Sequence, residues 1–374
     1  MITGEFPPQL GGVADYTAQV AAGLAAAGDE VHVWCPPAAG SPLELPGVVV
    51  HPELGRLGPR DWSRLGRSLD RFPRRRKLLV QWVPHAFGRR SMNLPFCAWL
   101  WLRSIARREE IEIMVHEPYL AFEGSWAQRS AALVHRAMTV LLLQSAARVW
   151  VSIPTWESRW KPYALGRSVP FRWLPVPSNA PYMADPAGVR EVRARFGSGG
   201  LLLGHFGTYG RLLSNLLGPV VVQLLRKVCD LSIVLIGRGG ESFREIVAHR
   251  HPELGDRVAA TGSLHPADLS RHLQACDLLI QPFPDGVSSR RTTVMAALAH
   301  GRPVVTTTGG LTESLWSDSN AVALAPAGDW AGLVAMTLRA LRDPDERDRL
   351  GARGAELYRD HFDLAHTIRA LRGV

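Results

Sequence analysis

Two adjacent arginines, Arg290 and Arg291, follow a serine pair in the stretch Phe283-Pro-Asp-Gly-Val-Ser-Ser-Arg-Arg-Thr-Thr-Val-Met. The stretch reads as a strand end, a tight polar turn and a short helix, before the β-rich Pro303–Thr308. Ser288 or Ser289 is the expected N-cap, because its hydroxyl can accept from first-turn amides. Both arginines then lie inside the first turn, where free N–H groups and the helix dipole favour anions and disfavour cations. A bound phosphate or diphosphate removes that conflict. Pairing with surface carboxylates is the plainer alternative.

The elements that must position these residues alternate apolar strands with helices in both halves of the chain, the pattern of doubly wound α/β domains. In the first half, strands are predicted at Val31–Cys35, Val48–His51, Leu78–Val83, Ile113–His116 and Arg148–Ser152, with helices at Asp15–Ala27 and Arg129–Ala146. The proline-rich Val169–Pro181 is the expected linker region, and domain limits of 1–173, 174–200 (linker), 201–360 and 361–374 follow, the last segment a helix returning to the first domain. The second half restarts at Leu201–Phe206 and continues through Ser232–Ile236, Val258–Thr261, Leu278–Gln281 and Val304–Thr307. Ligands of such sheets bind beyond the carboxyl ends of strands. Those ends carry Gly207-Thr208-Tyr209, Gly237-Arg238, Gly262 with Leu264, Asp285 through Arg291, and Gly309-Gly310 with Glu313. Five glycine-bearing loops on one rim, two arginines among them, suit the close backbone approach of a nucleotide.

Composition bounds the rest. The chain has 374 residues, 46% hydrophobic and 21% charged, which suits a globular protein of two domains. Cys35, Cys97, Cys229 and Cys276 show no metal-ligand spacing and read as reduced core residues. The absence of a signal peptide in the sequence points to the cytoplasm, and Phe96–Ile105 is too short an apolar run to span a bilayer. Charge is lopsided: Arg56–Glu110 holds 14 Lys/Arg against 4 Asp/Glu, whereas the whole chain is only +9. Arg74–Lys77 and Arg89-Arg90 lie among Trp62, Trp82, Phe87, Trp99 and Trp101. Such a surface over Arg56–Arg108 suits an anionic or lipid-linked acceptor, or the inner face of the plasma membrane. No nucleic-acid-binding motif accompanies it.

Taken together, Gly4–Tyr16, with Gly11-Gly12-Val13, and Gly301–Glu313 (GRPVVTTTGGLTE) resemble the retaining GT-B glycosyltransferases of the family-4 type. The resemblance spans nearly the whole chain and implies two Rossmann-like domains facing across a cleft. It implies a nucleoside-diphosphate sugar as donor, no cofactor and no metal. Only Met1-Ile2-Thr3 precedes the first loop, where a typical member has several more residues. His116 matches the family's first-domain histidine beside the donor sugar. Glu117 is weighed between a site acid and a plain loop carboxylate, and His85 is a candidate for the acceptor side. The chief departure is the family's Glu-x7-Glu pair, whose positions fall on Ser288 and Ala296. Arg290 and Arg291 are therefore expected to carry the diphosphate charge, Asp285 to be the acid near the sugar, and Glu313 or Tyr209 to recognise ribose. The expected reaction is retaining hexosyl transfer, with the departing phosphate taking the acceptor's proton. The alternatives are a degenerate GT-B binding or scaffold protein and a nucleotide-sugar epimerase of the same fold. A Rossmann dehydrogenase is disfavoured: Val33-Trp-Cys35 ends without an acid and no G-x-G-x-x-G opens the first helix.

Overall fold

The computed structural model describes residues 1–373 except 41–42, 56, 74–75, 89–90 and 198. Arg56, Arg74, Arg75, Arg89 and Arg90 of the basic stretch thus lie outside the described residues. The chain forms two units, Met1–Pro175 with Leu364–Val374, and Val176–Asp363.

In the first unit the order is β1 (Ile2–Thr3), α1 (Gly12–Ala26), β2 (Val31–Trp34), β3 (Val48–His51), α2 (Pro59–Leu69), β4 (Lys77–Trp82), α3 (Leu94–Arg107), β5 (Glu110–Val115), α4 (Trp126–Ser145), β6 (Arg148–Val151), α5 (Thr155–Trp160) and β7 (Phe171–Trp173). Among the described residues its sheet runs β3-β2-β1-β4-β5-β6-β7, all parallel. Although only two residues long, β1 pairs with both β2 and β4 and so fills the centre of the sheet. The central strands are apolar almost throughout: Val80, Ile111, Ile113, Met114 and Val149 are fully buried. Parallel sheets covered on both faces require this.

The second unit holds α6 (Pro186–Phe196), β8 (Leu201–Phe206), α7 (Arg211–Lys227), β9 (Leu231–Ile236), α8 (Gly240–Arg250), β10 (Val258–Gly262), α9 (Pro266–Ala275), β11 (Leu278–Gln281), α10 (Thr292–Ala299), β12 (Val304–Thr308), α11 (Ser314–Asp318), β13 (Ala323–Pro326), α12 (Trp330–Arg342) and α13 (Pro344–Leu357). Its parallel sheet runs β10-β9-β8-β11-β12-β13, the chain order of the strands reversing between β8 and β11. One face packs Leu217, Val221, Leu333 and Leu338, the other Met295, Leu298, Trp316 and Phe362. After α13 the chain returns as α14 (Leu364–Arg372) against α1 of the first unit, with Lys77 Nζ donating to the Leu371 carbonyl at 3.2 Å.

Three expectations need correction. The segment 174–200 is not a linker over its length: the second unit begins at Val176, and α6 packs on α9. Asp185 caps that helix by accepting from the Gly188 amide, with Pro186 at its first position. The proline-rich stretch also contains β7, an edge strand whose prolines flank it. Cys229, read as a core residue, is exposed.

The basic, aromatic stretch is partly core. Trp82, Phe87 and Phe96 are buried and stack in series at centroid distances of 4.9 and 5.4 Å. Arg103 is buried, bonded to Asp70 at 2.6 Å and Glu109 at 2.8 Å, and Arg76 also pairs with Glu109. Lys77, Arg107 and Arg108 are exposed, and so is a stripe on α2, where Arg60, Arg64 and Arg67 face outward and Leu65 and Leu69 are buried. Arg71 lies just beyond and is also exposed.

Candidate active site

The carboxyl ends of the second sheet's strands form a laced rim. The Gly207 amide donates to the Ile236 carbonyl, that of Tyr209 to Arg238, and that of Gly237 to Gly262, at 3.0 to 3.1 Å. Gln281 Nε2 ties β11 to β8 through the Phe206 carbonyl at 3.1 Å. Thr208 continues the first of these loops, and Leu264 packs against the apolar cluster beneath the rim. The expected ribose role of Tyr209 meets a competing demand. Its ring stacks on Phe243 in the core, and its hydroxyl donates to the His205 carbonyl at 2.8 Å. Arg238 is exposed on this rim. So is Arg211 at the start of α7, a cation that sequence reasoning passed over although it directly follows the glycine loop.

The loop after β11 differs from expectation in one respect that matters. Helix α10 begins at Thr292, so Arg290 and Arg291 precede the helix and do not sit in its first turn. Neither serine is its N-cap. Arg291 occupies that position without a side-chain cap bond, and the Ser289 hydroxyl donates to Glu313. The positive charge is offset locally: Arg290 Nη2 donates to Asp285 Oδ2 at 2.6 Å, and Arg291 Nη2 to Asp285 Oδ1. The Arg291 guanidinium also lies 4.3 Å over the Phe283 ring. One carboxylate thus orients two largely buried guanidiniums. Asp285 spends its oxygens on this pairing, where a sugar contact was expected.

The backbone here is held by its neighbours. Phe283 and Val287 donate to Thr307 Oγ1 and the Thr307 carbonyl at 2.8 and 2.7 Å, and the Leu311 amide donates to the Asp285 carbonyl. The loops touch so closely that a Cβ on Gly309 would lie 2.6 Å from the Asp285 carbonyl oxygen, so glycine is required there. Gly310 continues that loop toward Glu313. Glu313 itself is a brace. Its carboxylate accepts from the Ser289 amide at 3.0 Å, the Ser289 hydroxyl, and Trp316 Nε1 at 2.9 Å. Ser288 and Ala296, at the positions of the absent glutamates, are fully buried.

In the first unit, His116 directly follows β5 and is buried, its Nε2 bonded to Gln81 Oε1 at 2.8 Å and its ring edge-on to Tyr16. Burial pushes its pKa down to about 3, so the ring is neutral. The loop through Gly11, Gly12 and Val13 leads into α1, whose N-terminus already has an anion. The Glu5 carboxylate lies against it: a Cβ on the N-cap residue Gly11 would be 2.8 Å from Glu5 Oε1. Among the described residues no His, Cys, Asp or Glu group could hold a metal ion, and no helix is long and apolar enough to cross a membrane.

Comparison with known proteins locates this architecture. Residues 206–343 match the family described as Glycosyl transferases group 1. A curated relative, the phosphatidyl-myo-inositol mannosyltransferase of Mycobacterium leprae, is 24% identical over 93% of this chain and 88% of its own length. Among solved structures, Anabaena HepE in complex with UDP superposes with a TM-score of 0.70 at 17% identity, covering 100% of this chain and 97% of HepE. Sucrose-phosphate synthase from Thermosynechococcus elongatus gives 0.73 at 16% identity, with coverage of 100% and 97%. The fold is GT-B.

Proposed function

We propose that this chain, a glycosyltransferase of the GT-B fold whose second unit matches the group 1 family, moves a hexose from a nucleoside-diphosphate sugar to an acceptor hydroxyl with retention of configuration. The observation that carries this reading is the Asp285–Arg290–Arg291 cluster on the carboxyl rim of the second sheet, flanked by exposed Arg211 and Arg238. HepE binds UDP on the same fold. As the bond from the anomeric carbon to the diphosphate breaks, negative charge builds on the leaving group. The new bond forms from the acceptor oxygen, and the acceptor's proton passes to the departing phosphate. Guanidiniums already fixed by Asp285 meet that charge without reorganising, which is the largest contribution in much of such catalysis. These cations make a divalent ion unnecessary. The test is turnover of UDP-, GDP- and dTDP-hexoses with a panel of alcohols, with the anomeric configuration of the product read by NMR. An inverted product refutes retention.

A second reading is supported by the buried, uncharged side chains of Ser288 and Ala296: a GT-B protein that binds nucleotide and transfers nothing. It predicts nucleotide affinity without turnover in that same assay, while an epimerase would convert the donor with no acceptor added.

The proposed acceptor is anionic or lipid-linked. The exposed arginines of α2 support this, as does the lipid in the name of the mycobacterial relative. Each such arginine contributes on the order of 1 kcal/mol near an anionic surface. Cosedimentation with phosphatidylglycerol vesicles, lost in phosphatidylcholine or at high salt, is the expected result. Equal, negligible binding to both vesicle types removes the lipid surface.

A further inference from the structure

On the flank of the second unit, helices α6 and α9 border a cavity of about 460 Å³ beside the edge strand β10. We propose that this cavity is a binding site for a small aromatic zwitterion, an α-amino acid whose ring carries an N–H or O–H donor. The proposal goes beyond the glycosyltransferase reading and does not depend on it.

The way the two helices meet builds the site. Arg271 of α9 reaches Asp185, the cap of α6, at 2.6 Å and Asp268 at 2.8 Å. Near the other end of α6, Arg193 bonds to Asp277 at 2.6 Å and to the Ala275 carbonyl at 3.1 Å. Beside these clamps Val192, Phe196 and Leu264 line the cavity with apolar surface. Its volume falls within the range of small-molecule sites, about 300–1,000 Å³. Thr261 also lines it, and the pairing of β10 with β9 slips between Ala260 and Gly262, so Thr261 stands outside the ladder. Bulges of this kind recur at sheet edges beside functional sites.

Three further lining groups select the ligand. His272 is only 9% exposed. Its Nδ1 lies 2.7 Å from the Asp268 carbonyl, which can only accept, so Nδ1 carries the proton. Burial lowers its pKa and keeps the ring neutral. Nε2 is then a bare acceptor, and it makes no hydrogen bond among the described residues. Glu191 and Arg195 stand four apart on α6, a spacing that permits an ion pair, yet among the described residues neither makes an ion pair or a side-chain hydrogen bond. The Arg195 guanidinium instead lies 5.0 Å over the Phe196 ring.

Since Arg271 is already held by two carboxylates, the open charges of the cavity are one of each sign. Arg195 suits a carboxylate and Glu191 an ammonium, while the apolar wall receives a ring whose donor meets His272 Nε2. A nucleotide's phosphates find no surplus of positive charge here.

Titration calorimetry of the full chain with L-tryptophan and L-tyrosine, with and without UDP, tests the site. Both amino acids should bind, and equally well in the presence of UDP. Tryptamine, 3-indolepropionate and L-phenylalanine, which lack the carboxylate, the ammonium and the ring donor in turn, should each bind about tenfold more weakly than L-tryptophan, and L-alanine not at all. Arg195→Ala and Glu191→Gln, both at exposed positions, should each weaken L-tryptophan about tenfold, with unchanged melting temperatures showing that the variants remain folded. The proposal is overturned if neither amino acid binds, if UDP displaces them, if a truncated probe or L-alanine binds as tightly as L-tryptophan, or if the folded variants bind as the parent does.

Discussion

Glu313 offers the sharpest contrast between a ligand-binding residue and a structural one. Its carboxylate accepts from the Ser289 amide and the Trp316 indole N–H, both on fully buried residues. The Ser289 hydroxyl is a third donor but can rotate. A buried donor stripped of a charged partner costs about 1.5–2 kcal/mol, so Glu313→Ala should destabilise the second unit by about 3–4 kcal/mol. For a unit of this size, about 2–4 °C per kcal/mol places the drop in melting temperature at about 6–16 °C. Glu313→Gln keeps one acceptor oxygen and should lose roughly half as much. Differential scanning calorimetry of the full chain reads the shift, and UDP titration at a temperature where both variants are folded reads the ligand. A brace predicts a large shift with nucleotide affinity changed only modestly. If Glu313→Ala melts within about 2 °C of the parent yet no longer binds UDP, the brace is refuted and ribose recognition is restored.

Arg291→Ala should lower kcat for donor turnover about 30- to 900-fold, equivalent to about 2–4 kcal/mol of lost leaving-group stabilisation; a loss under about threefold in steady-state assays removes the diphosphate role. Activity should persist in excess EDTA, because the chain supplies its own cations; complete loss restored by magnesium or manganese contradicts this. Burial holds both His116 and His205 neutral down to about 3, against an ordinary value of 6.5, so their contribution to stability is full above that value and is lost progressively as pH falls from 6.5 toward 3. Denaturant titrations from pH 8 to 4 should show stability flat above about 7 and falling below it, and His205→Phe should blunt the fall if the variant folds.

Strands and most helices were legible because each is a local statement. Leu278–Gln281 is a short apolar run between turn signals, and Asp343 before Pro344 announces a cap. The same grammar marked α6, where Asp185 and Pro186 stand as cap and first helical residue, but the arginine-rich body of the helix and the prolines before it read as linker. The site was legible only as a set of loops. Which groups share a hydrogen bond depends on how two loops meet, as for Glu313 and Ser289, which lie 24 residues apart. Ser289 reads locally as an N-cap, but its hydroxyl is claimed by another loop. Two adjacent arginines at a helix start need an anion, and the fold supplies one from within, Asp285. At α1 too a carboxylate of the chain, that of Glu5, lies against the N-cap Gly11. A sequence rule that detects unbalanced charge thus marks a place where an anion is needed, without saying whether that anion comes from the chain or from a ligand. At the arginine loop one carboxylate holds two guanidiniums, and whether a diphosphate is held there as well is what the Arg291→Ala assay decides.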